Sequence, residues 1–238
     1  MRSEGVDTSN VEIINRSRTG LALVSVYDSG ENSITVIPGA NFQLTADRVT
    51  RSVERLTRDA GSAVVVVQAE LVTDIITATA AERAGARLVL NLAPYQPLAA
   101  HVLAACNPLV LNEAEASALV GWKVTDAATA ARATERLGAT VRSVVVTIGA
   151  EGAYWADQSD AGHVPAPPIA QVVDTTGAGD AFVGALASCL ARGEHPHRAV
   201  EIGVLAGSFA VTSPGAQSSY PTLTGLGVDP ARPPAVRA

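Results

Sequence analysis

Lysine is almost missing from this chain. Lys123 is the only one, and the other basic side chains are arginines scattered without a cluster. With 17 basic residues against 23 acidic ones, the formal net charge is −6. Nucleic acid and anionic membrane surfaces both require a basic face, so neither is expected as a partner. Cysteine is scarce too: Cys106 and Cys189 form neither a metal-binding spacing nor a disulfide framework, which points to a reduced, cytoplasmic compartment. Long apolar runs are lacking. The longest uncharged stretch, 202–228, is interrupted by Gly207, Pro214, Gly215 and Pro221, whereas a spanning helix takes about 20 mainly apolar residues. At the N-terminus, charges stand where a signal peptide would carry its apolar core.

What is present is a chain of 238 residues, 47% hydrophobic and 17% charged, the composition of a globular protein. A fold of this size removes roughly 70–75% of its unfolded surface from water. Residues 19–28 and 32–37 are β-branched, apolar runs joined by Ser29-Gly30-Glu31, a hairpin signal. Further on, Val64-Val65-Val66-Val67 reads as a strand buried on both faces. A helical segment at 71–84, a strand at 87–91, a strand at 108–111, helices at 113–120 and 127–137, and a strand at 143–147 follow. Such alternation predicts an α/β fold with a mostly parallel sheet and helices on both faces, because parallel neighbours need long crossovers. Short runs at 153–156 and 171–173 are expected at the sheet edge, and helices at 178–192 and 196–211 close the fold. One domain spans 1–238, with a β-lid portion at 11–40, an α/β core at 41–225 and a disordered proline-bearing tail at 229–238.

In such sheets ligands sit beyond the carboxyl ends of the strands. The informative residues do follow strands: Gln68-Ala69-Glu70, Asn112-Glu113-Ala114-Glu115, Thr147-Ile148-Gly149, and Asp174 onward. The strongest segment is Asp174-Thr175-Thr176-Gly177-Ala178-Gly179-Asp180-Ala181-Phe182, entering an apolar helix. Small residues admit close approach of the backbone, and a helix start offers unpaired N–H groups that suit phosphate. Asp180, in the first turn, is placed to take a proton from a hydroxyl beside that anion site. The same residues also read as a glycine turn with a first-turn aspartate. Phe182 stands where a dinucleotide fingerprint has its third glycine, which disfavours that alternative.

Residues 174–182 resemble the C-terminal signature of the ribokinase-like (PfkB-type) carbohydrate kinases. Other segments agree in order. Residues 111–116 (Leu-Asn-Glu-Ala-Glu-Ala) resemble the family's asparagine-glutamate motif, residues 146–152 its nucleotide loop, and Pro214-Gly215-Ala216 its closing cation loop. Gly39-Ala40-Asn41 and Gln68-Ala69-Glu70 are most similar to the ribokinase branch, so the resemblance runs from Gly5 to about Pro221. It implies a three-layer ribokinase-like fold with a partial β lid, and ATP-dependent phosphorylation of a sugar, D-ribose first and a fructokinase-type sugar as the neighbouring alternative.

By the same resemblance Asp180 is the general base, and Gly177, Ala178 and Gly179 form the anion hole. Asn112, Thr147, Ile148, Gly149, Ala150, Glu151 and Gly152, with Gly179 and Asp180, bind ATP; Glu70, with Asp180, grips the sugar. Glu115 reaches Mg²⁺ through water. Asp174, Thr176, Ala210, Ser213, Gly215 and Ser219 form a K⁺ loop, largely through carbonyl oxygens. Alone, Glu113 and Glu115 read as a first-turn acid pair favoured by the helix dipole. The family also carries an N-terminal segment ahead of Gly5 with further sugar-gripping residues, so the chain is expected to be short of the family there. That leaves lid-mediated homodimerisation in doubt, and a nucleotide-binding remnant without turnover is the alternative of another class. Val204 stands where many ribokinases have an asparagine near adenine.

Several features take ordinary structural readings. His195 and His197 flank Pro196 without a third ligand, and His101 and His163 lack a partner at metal spacing. Ser208 lacks the second flanking glycine of a nucleophile elbow. Trp122 and Trp155 are expected in packing.

Overall fold

The computed structural model describes residues 1–26, 32–58, 63–82, 85–222 and 224–228. The hairpin turn expected at Ser29-Gly30-Glu31 and the tail at 229–238 lie outside the described residues. Flanking that turn, β1 (Leu21–Val26) and β2 (Asn32–Ile37) pair antiparallel from Leu21↔Ile37 to Val26↔Asn32. Among the described residues this ribbon pairs with nothing else, and Leu21, Leu23, Val36 and Ile37 are exposed on it.

The main sheet has six strands in the order β3-β4-β5-β6-β7-β8. Its parallel part is β3 (Val64–Gln68), β4 (Arg87–Asn91), β5 (Cys106–Leu111) and β6 (Ser143–Thr147); β7 (Ala153–Asp157) and β8 (Ala161–Val164) then run antiparallel. Helices α2 (Thr73–Glu82), α3 (Ala100–Ala105), α4 (Glu113–Val120) and α5 (Ala127–Gly138) make the crossovers. Helices α6 (Ala178–Ala191) and α7 (Pro196–Ala210) follow the antiparallel strands.

Alternation along each strand divides the core in two. Leu88, Leu90, Leu109, Leu111, Val144 and Val146 meet Ile76, Val102, Ala116 and Ala133 from α2 to α5. Val89, Val110, Val145 and Trp155 point the other way, against Phe182, Leu186, Val200 and Ile202 of α6 and α7. The result is the expected three layers, α2–α5, sheet and α6–α7. The two outer helices lie close together: a Cβ at Gly203 would sit 2.9 Å from the Phe182 ring. Trp155 is buried in this second core, as is Val204, and Trp122 packs at the margin of the first with the Arg132 guanidinium 4.4 Å from its ring centroid.

Four elements differ from the sequence expectation, the short α3 and strand β8 among them. The strand expected at 171–173 is absent, and β8 holds the sheet edge instead. Pro165, Pro167 and Pro168 interrupt the chain after β8 and remove ladder donors. The chain then leaves the sheet and reaches α7, where the Val173 N–H donates to the Val211 carbonyl at 2.8 Å. A further helix, α1 (Ala46–Thr57), precedes β3 and packs beside α2. Arg48 on α1 pairs with Glu12 at 2.8 Å, and Arg55 contacts Asn10, so the N-terminal residues lie along this helix. At the opposite edge from β8, β3 pairs only with β4 among the described residues, and Val66 is 45% exposed beside a groove of about 540 Å³ lined by Arg48, Val49, Leu56 and Val64. No helix among the described residues is long and apolar enough to cross a membrane.

Candidate active site

Parallel strands end on one side of the sheet, so Gln68, Asn91, Leu111 and Thr147 close β3, β4, β5 and β6 at a common rim. The start of α6 joins that rim: the Gln68 Nε2 donates to Asp180 Oδ1 at 2.7 Å, across 112 residues of sequence. Asp180 is exposed in the first turn of α6. Its other oxygen, Oδ2, lies 3.5 Å from the Tyr220 hydroxyl. Burial, then the Asp180 charge, pushes the Tyr220 phenol above its usual range, so this hydroxyl keeps its proton at neutral pH.

The turn before α6 is held from behind. Gly177 is its N-cap, at φ 78° and with no side-chain cap. A Cβ there would lie 2.9 Å from the Ala216 Cβ and 3.0 Å from Tyr220 Cε1. The 211–220 segment is thus a wall against which the turn rests. Asp174 fastens the two together: Oδ1 accepts from the Thr176 N–H at 2.9 Å, and Oδ2 from the Gly215 N–H at 2.8 Å. Hydrogen bonds from the Thr176 side chain and backbone, then from Gly215, hold the Asp174 carboxyl below the usual carboxylate range. Gly179 faces the other way. A Cβ at that position would meet nothing within 4 Å, so the front of the turn is open where first-turn N–H groups lack helical partners.

The second half of the rim lies at β5 and β6. Asn112 caps α4 in a reciprocal box: its Oδ1 accepts from the Glu115 N–H at 2.9 Å, while Glu115 Oε2 accepts from the Asn112 N–H at 2.8 Å. Glu115 Oε1 accepts from Asn112 Nδ2 at 3.0 Å, so both oxygens of this buried carboxylate serve the cap. Burial pushes its carboxyl above the usual range despite those bonds. Glu113 turns toward the 148–152 loop, its Oε1 3.6 Å from where a Gly149 Cβ would stand. That loop is a 3₁₀ turn at Gly149–Glu151, closed by the Ile148 N–H on the Gly152 carbonyl at 2.8 Å. Thr147 Oγ1 bonds back to the Leu111 carbonyl at 3.3 Å.

Glu70 is exposed just past β3. Its backbone is stapled by Gln96, whose Nε2 donates to the Ala69 and Leu71 carbonyls at 2.9 and 3.0 Å, while Thr73 Oγ1 donates to Gln96 Oε1 at 2.7 Å. Ser219 is buried, with its N–H and Oγ both on the Ala216 carbonyl at 2.9 and 2.7 Å. The Ala210 carbonyl accepts from the Ser213 N–H at 3.4 Å. The structure therefore joins Asp174, Thr176 and Gly215 directly, and it brings Gly177 against the same loop. The bonds made by Gln68 and Gln96 and the approach of Tyr220 are tertiary contacts without a local sequence signal. Away from the rim, His195 caps α7 by accepting from the His197 N–H at 3.3 Å. Among the described residues no group of three or more His, Cys, Asp or Glu side chains is arranged to hold a metal.

An exposed carboxylate beside an open helix start, at the carboxyl rim of an α/β sheet, is an arrangement for phosphoryl transfer to a hydroxyl. The model of the pfkB family carbohydrate kinases matches residues 1–223. The chain belongs to this family. It is 31% identical to a ribokinase of Haemophilus influenzae over 220 residues, covering 92% of this chain and 71% of that protein. It is 32% identical to a deoxyribokinase of Salmonella typhi over 228 residues, covering 94% and 73%. Among solved structures, a ribokinase of Thermotoga maritima superposes with a TM-score of 0.76 at 29% identity over 89% of this chain and 69% of that one. The Arabidopsis thaliana ribokinase complexed with ribose and ATP gives 0.75 at 27% identity, over 89% and 69%. Membership in the pfkB family makes this an ATP-dependent sugar kinase with the ribokinase-like three-layer fold.

Proposed function

We propose that this sugar kinase phosphorylates D-ribose at its primary hydroxyl, giving ADP and D-ribose 5-phosphate. The observation that carries the reading is the exposed Asp180 carboxylate, fixed by Gln68 beside the open face of Gly179. Asp180 takes the hydroxyl proton as the sugar oxygen attacks the γ-phosphorus, and the bond from that phosphorus to the ADP oxygen breaks. N–H groups at Gly177 and Gly179 face the charge that moves onto the γ-phosphoryl oxygens, while the Ala178 N–H donates to the Thr175 carbonyl at 3.2 Å and closes the turn. Glu70 grips sugar hydroxyls, and Asn112, with Thr147 to Gly152, lines the nucleotide.

Oxygen donors at this rim suit Mg²⁺, which keeps its waters and is held by substrate phosphates with few protein ligands. Each Glu115 oxygen has a lone pair beyond those used in the cap, and this fits contact through water. Mg²⁺ held there through water on Glu115 would supply electrostatic neutralisation of the charge on the transferring phosphoryl group. The ionised Asp174 and the carbonyls of the 210–219 segment fit a monovalent cation such as K⁺, behind the anion hole. A homodimer through the exposed apolar ribbon β1–β2 is the matching proposal for assembly.

The 32% identity to a Salmonella typhi deoxyribokinase supports 2-deoxyribose as the second candidate. ADP release measured with ribose, 2-deoxyribose and fructose at equal concentration tests the choice: ribose is expected to give the highest kcat/KM, and a higher value for either other sugar overturns the assignment. Asp180→Asn is expected to lower turnover by about 10²–10⁴-fold with ATP binding retained. Full turnover in that variant removes the general-base role.

A further inference from the structure

We propose that Gln68 is a positioning residue for Asp180: it clamps one carboxylate oxygen so that the other is presented to the sugar hydroxyl. The proposal rests on the reading of Asp180 as general base. A carboxylate only accepts hydrogen bonds, so the amide NH₂ of Gln68 is the group that faces it, and 2.7 Å is the short distance of a charge-assisted bond.

Without such a bond, an exposed aspartate on a helix surface samples several rotamers. The anchor of the clamp is placed by the backbone of β3. Gln68 is the last residue of β3, in register with Asn91, and the next N–H, that of Ala69, donates to the Asn91 carbonyl at 3.1 Å. Gln96 then pins the chain on both sides of Glu70. The two carboxylate oxygens consequently differ: Oδ1 is committed to Gln68, while Oδ2 has only the longer 3.5 Å approach of Tyr220. A base needs one oxygen free and held in a fixed direction, and a displacement of about 1 Å at such a centre costs on the order of 10²-fold in rate. The donor is also neutral. An ammonium or guanidinium group at 2.7 Å would orient the carboxylate equally well but would make it a weaker base. Tyr220 is the titratable group that approaches Asp180 from the segment after α7, and no salt bridge engages Asp180 among the described residues.

The test uses the full chain and the variants Gln68→Ala and Gln68→Glu. Gln68→Ala is expected to lower kcat by about 10- to 100-fold while the affinity for Mg-ATP stays unchanged and the melting temperature falls by only a few degrees, as for the loss of one hydrogen bond. Gln68→Glu sets two carboxylates within hydrogen-bond reach, where both cannot ionise freely, so the acid limb of the pH–kcat profile is expected to move to higher pH. Unchanged kcat in Gln68→Ala, or an unmoved profile in Gln68→Glu, overturns the clamp and leaves the kinase reading standing. Absence of turnover by the unmodified chain with every sugar defeats the kinase reading instead. The clamp is then judged by a double-mutant cycle of Gln68→Ala with Asp180→Ala in urea unfolding: non-additive effects support it, and additive effects overturn it.

Discussion

Gly177 and Gly179 are two residues apart in one turn, yet alanine at each position should fail for opposite reasons. At Gly177 the backbone is left-handed, φ 78°, and a new Cβ would lie 2.9 Å from the Ala216 Cβ and 3.0 Å from both Ala216 Cα and Tyr220 Cε1. The left-handed conformation costs a non-glycine residue about 1–2 kcal/mol, and overpacking against neighbours that include backbone costs about 1–3 kcal/mol more. The sum, about 2–5 kcal/mol, corresponds in a chain of this size to a melting point lower by about 4–20 °C. At Gly179 neither cost exists, since φ is not positive and a Cβ would meet nothing within 4 Å. Alanine is favoured over glycine inside a helix by about 0.5–1 kcal/mol, so Gly179→Ala should melt at or slightly above the parent temperature. Its methyl instead occupies the space a phosphoryl group would enter, and turnover should fall on the order of 10²-fold. Thermal melts followed by circular dichroism, with ADP release on the same samples, separate the two effects. A Gly177→Ala protein with an unchanged melting point would refute the packing argument. A Gly179→Ala protein with full turnover would show that the open face is not where phosphate sits.

Other perturbations read other parts of the rim. Glu115→Gln keeps an acceptor for the Asn112 N–H, gives up the one that receives Asn112 Nδ2, and removes a buried charge. Because burial raises the Glu115 carboxyl above its unfolded value, its ionised form costs stability that grows as pH rises from about 4.3 through the folded value. The melting point of the glutamine variant relative to the parent should therefore rise as pH goes from about 4 to 7; a difference that does not change with pH contradicts this. Glu115→Ala, which opens the box, should cost about 0.5–2 kcal/mol in urea unfolding. Asp174 has the opposite sign. Its folded value is depressed, so its tie to Thr176 and Gly215 is fully present above about 3.9 and lost as pH falls through the folded value. Asp174→Ala should abolish any activation by K⁺ over a large organic cation at matched ionic strength and increase proteolysis within 211–220; unchanged K⁺ response removes the cation assignment.

Much of the architecture was legible because periodicity and burial coincide. Leu88 and Leu90 alternate with Val89, and Val144 and Val146 with Val145, and each set found its own helical layer. Helix α1 was missed although Thr45 precedes a stripe of Val49, Val53 and Leu56 at helical spacing, because Arg and Glu dominate the segment and only Val53 is buried on it. The strand expected at 171–173 failed for a physical reason: Val172 and Val173 are β-branched but 57% and 50% exposed, beyond three prolines that take the chain off the sheet. At the rim, residues were legible and contacts were not. Local spacing identifies Asn112 and Glu115 as a capping pair, since both partners lie within one turn. It cannot pair Gln68 with Asp180, or Asp174 with Gly215, because 112 and 41 residues separate them.

Those long-range pairs also determine how the turn is supported. Gly177 leans on Ala216 and Tyr220, and Asp174 ties the same loop through Gly215, so the rear of the proposed anion hole is as firm as the segment that follows α7. The front depends on Gln68, at the end of a strand that pairs only with β4 among the described residues. An edge strand opens at lower free energy than a central one, because it has half the ladder and less buried surface. The two supports should therefore respond differently to mild denaturant. Opening β3 frees Asp180 Oδ1 while the Asp174–Gly215 tie persists, so if the proposed roles hold, mild denaturant should reduce turnover before it reduces nucleotide binding.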